Sequence, residues 1–234
     1  MILDRINRAL KRQDWFAVGL EVVIVFAGVL IALAANDWAA AQQEREIEVE
    51  SLRELRQALS NDIGGIERTG DAHRRVANSM RILQEHLASG HPYADTLGAH
   101  FAMLGTSSVG TRDLTAYETL KQRGMGTVTN DSLRVAIGRL YGVTYETLVQ
   151  FQKTTAERAL HYVIPYLAPR FKDYAVFENA TPLDYSVLSA SPELQRILSD
   201  SAFLHSELAS LHDDVAMQIR TLIAQIDGEL VVLI

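Results

Sequence analysis

The chain has 234 residues, enough for one large domain or two small ones. Its 22 Lys and Arg against 29 Asp and Glu leave a net charge of −7, which argues against nucleic acid as a partner because phosphate binding draws on a basic surface. There is no Cys, so disulfide staples, thiolate zinc sites, iron–sulfur clusters and a Cys nucleophile are excluded.

The first element is apolar. Ala17 to Ala35, AVGLEVVIVFAGVLIALAA, is 19 residues with one charge, Glu21. As a helix it measures roughly 28 Å, close to the ~30 Å hydrocarbon core of a bilayer. Trp15 and Trp38 flank it as interfacial anchors. These features predict a transmembrane helix over residues 15–40. Arg5, Arg8, Lys11 and Arg12 precede it, whereas Arg45, Arg53 and Arg56 follow it among Glu44, Glu46, Glu48 and Glu50. Basic flanks are retained in the cytoplasm. The expectation is a cytoplasmic basic N-terminus (residues 1–14) and an extracytoplasmic domain (residues 41–234). A cleavable signal peptide is the competing reading, and Ala32-Leu33-Ala34 fits its small-x-small site. The apolar stretch is longer than the usual h-region of roughly 7–15 residues, and the helical pattern continues through Asn36 to Ala41.

The spanning helix has a face. Glu21, Gly28, Ala32, Ala35 and Asn36 fall within about 100° of arc at 3.6 residues per turn. Small residues let helices approach closely in lipid, and polar groups there seek partners. Two readings stay open: a packing face for a homo-oligomer or another membrane protein, or a Glu21 that snorkels to the inner headgroups beside incidental alanines.

Beyond the membrane the pattern is helical throughout. Gln42 to Ile63 carries Leu52, Leu55, Leu59 and Ile63 at three- and four-residue steps. Gly64-Gly65 and Gly70 are expected to break it, and Asp71 to Ala88 to form a second helix bearing Val76, Met80, Leu83 and Leu87. A turn at Ser89–Pro92, a short helix around Ala94–Leu104 and a Gly-rich loop at Gly105–Thr111 follow. Thr115 and Glu118 have capping-box spacing, which predicts a helix from Thr115 to about Arg123 before Gly124. Asn130 or Asp131 then caps a long helix to about Ile164, closed by Pro165 and Pro169. Residues 170–190 read as irregular, with Phe171, Tyr174, Phe177 and Tyr185. Ser191-Pro192 starts the last helix, which carries Leu204, Leu208, Leu211, Val215, Ile219, Leu222 and Ile226. With no β-alternation, the expected fold is all-α: an antiparallel bundle of four long and two short helices behind one transmembrane helix. An even number of legs returns the C-terminus toward the bilayer, where Leu230–Ile234 either caps the core or packs at the headgroups near Trp38.

Two stretches carry a resemblance. Glu21 to Trp38, EVVIVFAGVLIALAANDW, is similar to the membrane segment of a family of small bacterial single-pass proteins of unknown function: a Glu, an aliphatic run with Gly, Leu-Ile-Ala-Leu, then Asn-x-Trp. Ala116 to Tyr141, AYETLKQRGMGTVTNDSLRVAIGRLY, resembles that family's second recurrent stretch, a Tyr-Glu-x-Leu helix and Gly turn before a capped helix ending in Leu-Tyr. Before Trp38 this chain reads Ala34-Ala35-Asn36-Asp37, with Ala where that family often has a polar residue. The resemblance implies a single-pass topology in a bacterial inner membrane and no particular chemistry.

No catalytic constellation emerges, and no cofactor or metal is expected. Gly105 to Arg112, GTSSVGTR, has the G-x4-G spacing of a phosphate loop but Thr111-Arg112 where Lys-Ser/Thr is required. His205 and His212 lie two helical turns apart, about 10 Å, too far to share one zinc unaided, and are expected at the surface or core edge. Tyr117, Tyr141, Tyr145, Tyr162 and Tyr166 fit a core with hydroxyls at the rim, or a small-ligand cavity. The functional expectation is a membrane-anchored interaction or scaffold module. The alternative is a ligand-sensing bundle that signals through a membrane partner, and an envelope enzyme comes third.

Overall fold

The computed structural model describes residues 15–234 except Thr111, Asp173, Ala175, Val176, Phe177 and Asn179, with residues 15–18 described as backbone only. Arg5, Arg8, Lys11, Arg12, the Trp15 side chain and Phe177 lie outside the described residues. The described chain is all-α, with an isolated bridge between Phe171 and Pro182. It divides into two compact units, one ending at Glu48 and one comprising Val49–Ile234.

Helix α1 is Trp15–Ser89, 75 residues, in a stretch whose first downstream Pro is Pro92. In the first unit, Leu20, Val22 to Phe26, Val29 to Ile31, Leu33 and Trp38 are all at least half exposed. The most apolar 18-residue window has a mean hydropathy of 2.2 and no buried share. Among the described residues α1 is the one helix long and apolar enough to cross a membrane.

The second unit is a bundle of four legs. Val49–Ser89 of α1 forms the first leg, and the expected break at Gly64, Gly65 and Gly70 does not occur. At Gly70 packing explains the glycine. A Cβ at Gly70 would lie 3.0 Å from His212 Cβ, so this glycine lets the last helix approach rather than ending its own. The second leg returns through α2 (Leu97–Ala102), the loop 103–114 and α3 (Thr115–Arg123). His100 meets Ser79, Asp113 meets Asp62 and Arg123 meets Ser51, contacts that step back along α1. The third leg rises as α4 (Asp131–Arg139), a π turn (Leu140–Thr144), α5 (Tyr145–Arg158), a second π turn (Ala159–Val163) and α6 (Ile164–Leu167). After the short α7 (Tyr185–Ser189), α8 (Pro192–Leu233) descends antiparallel to α1, pairing Gln84 with Ser199, Glu67 with Arg220 and Arg56 with Asp227. The expected four long helices are therefore three long runs. The predicted first two are one element, and the descending second leg is built from short pieces.

Local chemistry explains the boundaries. The Asn130 and Ser191 side chains accept from the first-turn amides of α4 and α8, and Pro192 supplies a fixed φ at N1. Thr115 does not cap α3; the cap position is Leu114, and Asp113 Oδ1 accepts the Thr115 amide at 2.8 Å. Gly124 ends that helix at φ +101°, which only glycine adopts cheaply. Pro165 lies inside the third leg rather than closing it, directly after the second π turn. There Ile164 N–H bonds Ala159 O, five residues back, and this widened ladder accommodates a ring that would clash in a regular α-helix.

The apolar interior is split. A basal core, at the Val49 end, joins Leu52, Leu55, Leu59 and Ile66 to Ile137, Tyr145, Val215, Ile219 and Ile226. A distal core joins Val76, Met80 and Leu83 to Phe101, Val163, Leu167, Leu194 and Leu198. Leu230 and Leu233 pack against the basal core, while Val231, Val232 and Ile234 on the other face are about 80% exposed.

Candidate functional site

Between the two cores lies a buried polar layer. Helix α1 contributes His73, α8 contributes Ser201, His205 and His212, and α5 contributes Gln152 and Thr155; all six are buried. His73 Nδ1 and His205 Nδ1 are 2.9 Å apart. The His73 ring centroid is 5.1 Å from that of His205 and 5.2 Å from that of His212. His212 Nδ1 donates to the Leu208 carbonyl at 2.7 Å, so its Nε2 is the acceptor for the Gln152 amide at 3.1 Å. One proton must lie between His73 and His205. If His205 donates it, His73 carries its proton on Nε2, which makes no hydrogen bond of good geometry, while the Ser108 backbone near the ring favours its charged form. With neutral rings the three imidazoles and Gln152 are then joined by the hydrogen bonds named, while His73 Nε2 and Thr155 Oγ1 stay without a partner of good geometry.

Burial is the main cause that favours those neutral rings. It pushes His73 down to about 3, helped by the other two imidazoles, and His205 down to about 4. His212 is lowered as well, also by burial, with the Leu208 carbonyl and Asp213 opposing. Neither His73 nor His205 has a carboxylate among the causes of its shift.

Residues 105–110 of the loop after α2 lie against the layer. A Cβ at Gly110 would sit 3.2 Å from Thr69 Oγ1, a tight contact that would push the loop and α1 apart by a few tenths of an ångström unless Thr69 yields. Beside the layer is a void of about 10 Å³, lined by Gly105, Thr106, Thr155, Arg158, Ser201 and His205 among others. The buried Thr155 Oγ1 and Arg158 Nε near it lack hydrogen-bond partners, and a space of this size holds one water.

A second polar cluster anchors the loop's far end. Asp62, itself buried, accepts the Asp113 amide at 3.0 Å and the Tyr145 hydroxyl at 3.4 Å. Burial raises the Asp62 carboxyl above its ordinary range against those hydrogen bonds. Tyr117 stacks on Tyr141 at 4.2 Å, Tyr141 meets Tyr145 edge-on, and the Arg112 guanidinium lies over the Tyr145 ring.

The sequence-derived candidates are distributed differently. Glu21, Gly28, Ala32, Ala35, Asn36 and Trp38 lie on the exposed part of α1 in the first unit. Tyr141 and Tyr145 are core, whereas Tyr162 and Tyr166 pack against the distal core and bond Arg196 and Ser191. His205 and His212 are not surface or core-edge residues; they are 5% and 0% exposed. Their missing neighbour is His73, 132 residues before His205. A seven-residue spacing on one α8 face was visible, but the pairing with α1 was not. Among the described residues no group of three or more His, Asp or Glu is placed to hold a metal ion.

A family model, "Family of unknown function (DUF6090)", matches residues 21–163. The chain belongs to the DUF6090 family. The DUF6090 match begins at Glu21 in the apolar stretch and ends at Val163, the last residue of the second π turn. It includes His73, Asp62, the loop after α2 and Gln152, and stops before His205 and His212. No curated protein and no solved structure matches the chain.

Proposed function

We propose that this DUF6090 protein is a single-pass bacterial inner-membrane protein, N-terminus inside, whose extracytoplasmic bundle acts by binding a protein partner rather than by catalysis. The observation that carries the reading is the contrast within α1. Its apolar stretch leaves ten or more large side chains unburied, while its later turns bury Leu52, Leu55, Leu59 and Met80 completely. Such apolar surface on a membrane-length helix is at home in lipid. The basic residues Arg5, Arg8, Lys11 and Arg12 support the inward N-terminus, and Gly28 and Ala32 support helix–helix packing in the bilayer.

On the bundle, a groove of about 580 Å³ runs between α4 with its π turn and α8. Its lining includes the exposed Val135, Val143 and Met217 beside Arg139 and Gln218, the mixed lining that suits a protein ligand. A photo-crosslinking residue at Val143 or Met217, introduced in living cells, should give a discrete adduct. The same residue at exposed Arg75 should give none. Adducts of equal yield at all three positions would contradict a specific partner surface. The second reading, a sensing bundle coupled to a membrane partner, is favoured by one observation, the buried histidine layer between two separate cores.

A further inference from the structure

We infer that the His73–His205 pair is an acid-sensitive clasp at the middle of the bundle: protonation breaks it and opens the layer between the two cores, freeing residues 105–110 of the loop that lies against it. The inference concerns the bundle alone and stands whatever its partner or side of the membrane.

The clasp is one hydrogen bond between two Nδ1 atoms at 2.9 Å. It needs a lone pair on one ring, so two imidazolium rings cannot make it. With His205 as the donor, the free site for the first proton is His205 Nε2, on the ring that borders the void shared with Arg158. A cation already stands there. The second proton must take the His73 Nδ1 lone pair, which removes the bond and leaves two N–H groups opposed.

No nearby charge compensates. From α1, Asp71 is engaged by Arg74 at 2.7 Å, and Arg74 also binds Asp213 of α8 at 2.7 Å. From α5, Arg158 is held by Asp200 of α8 at 2.5 Å. Gln152 and Thr155 of α5 and Ser108 of the loop are neutral. His212 differs from the pair: Asp213 favours its charge, and rotation of the Gln152 amide would present an oxygen to a protonated Nε2. The carboxylate of the next layer, Asp62, is bonded to Asp113 and Tyr145.

The split core makes opening local. Leu52, Leu55 and Leu59 on one side and Val76, Met80 and Leu83 on the other belong to separate clusters, so the layer can separate while both persist. The loop above it is tethered to α1 through Asp113 and Asp62. An opened imidazole titrates near 6.5, and the closed ones near 3 and 4. At pH 5 each therefore raises the open-to-closed ratio about 30-fold, and the pair about 1,000-fold.

Hydrogen exchange of the full chain in lipid nanodiscs at pH 7 and pH 5, corrected for intrinsic exchange rates, reads this directly. Residues 101–113, 150–163 and 201–212 should open at least 100-fold more at pH 5, with residues 52–59 and 219–226 changing far less. The double variant His73→Gln, His205→Gln, whose amides can bond without titrating, should lose the acid response. Unchanged exchange in the wild type, or the same acid rise in the double variant, would overturn the proposal. Should the variant not fold, nitrogen-15 spectra of wild-type imidazoles decide. His73 and His205 should stay neutral at pH 5.5 in the folded protein, and titration near 6.5 with the fold intact would overturn the clasp.

Discussion

Two glycines on α1 should respond oppositely to the same substitution. A mid-helix Gly→Ala change gains about 1 kcal/mol from backbone propensity. At Gly64 the new Cβ meets only Arg68 Nη1, at 3.2 Å, the far end of a flexible side chain that can swing away. At Gly70 it meets His212 Cβ at 3.0 Å, with Ala209 O at 3.8 Å. Neither atom can yield alone: the His212 ring is held by Leu208 and Gln152, and Ala209 O is backbone. The two helices must separate by several tenths of an ångström, and overpacking of this kind costs about 1–3 kcal/mol. Gly64→Ala should therefore stabilise by about 0.5–1 kcal/mol, and Gly70→Ala should destabilise by about 1 kcal/mol. A bundle of this size shifts by about 2–4 °C per kcal/mol. Thermal unfolding of the full chain in detergent, followed by near-ultraviolet circular dichroism, should move up for the first variant and down for the second. An increase in Tm for Gly70→Ala equal to that for Gly64→Ala would refute the close approach of α1 and α8.

Three further outcomes follow from the same structure. Asp62→Ala, which strips the Asp113 amide and the Tyr145 hydroxyl of their acceptor, should cost about 1–3 kcal/mol at pH 7 in urea unfolding. Asp62→Asn keeps an acceptor and should be at least as stable as wild type at pH 7. Because the folded Asp62 carboxyl lies above its unfolded value, the charged form weakens the fold, so this advantage should shrink as pH falls through the folded pKa. Deleting Leu230–Ile234 removes Leu230 and Leu233 from the basal core and should lower Tm by several degrees, about 2–3 kcal/mol; an unchanged Tm would assign the tail to contacts outside the core. In the apolar stretch of α1, Gly28→Leu should weaken crosslinked association in detergent while Val29→Leu does not, and equal association would leave only the snorkelling reading of Glu21.

Much of the fold was legible because it is written in local chemistry. The Asn130 and Ser191 caps, the turn at Gly124 and the apolar stripes of α1 and α8 depend on residues within a turn or two of each other. The structure departs from the local pattern where tertiary contact overrides local preference. Gly64, Gly65 and Gly70 read as a breaker, yet Gly70 marks a helix contact on a partner more than 130 residues away. Thr115 and Glu118 had the spacing of a capping box, but Asp113 took the amide instead. Pro165 read as a stop, and a π turn absorbed it. The histidine layer was hidden for the same reason. Two of its imidazoles share α8, but the ring that makes them a site belongs to α1, and no local pattern announces that pairing.

The Cys-free sequence makes the proposed membrane anchor with the bundle outside directly testable. Single-cysteine variants Gln13→Cys and Ser206→Cys, the latter at an exposed position of α8, would be treated in intact bacterial spheroplasts with a membrane-impermeant thiol reagent. Ser206→Cys should label at once and Gln13→Cys only after the membrane is breached. Immediate labelling of Gln13→Cys with protection of Ser206→Cys would place the bundle in the cytoplasm and contradict the account.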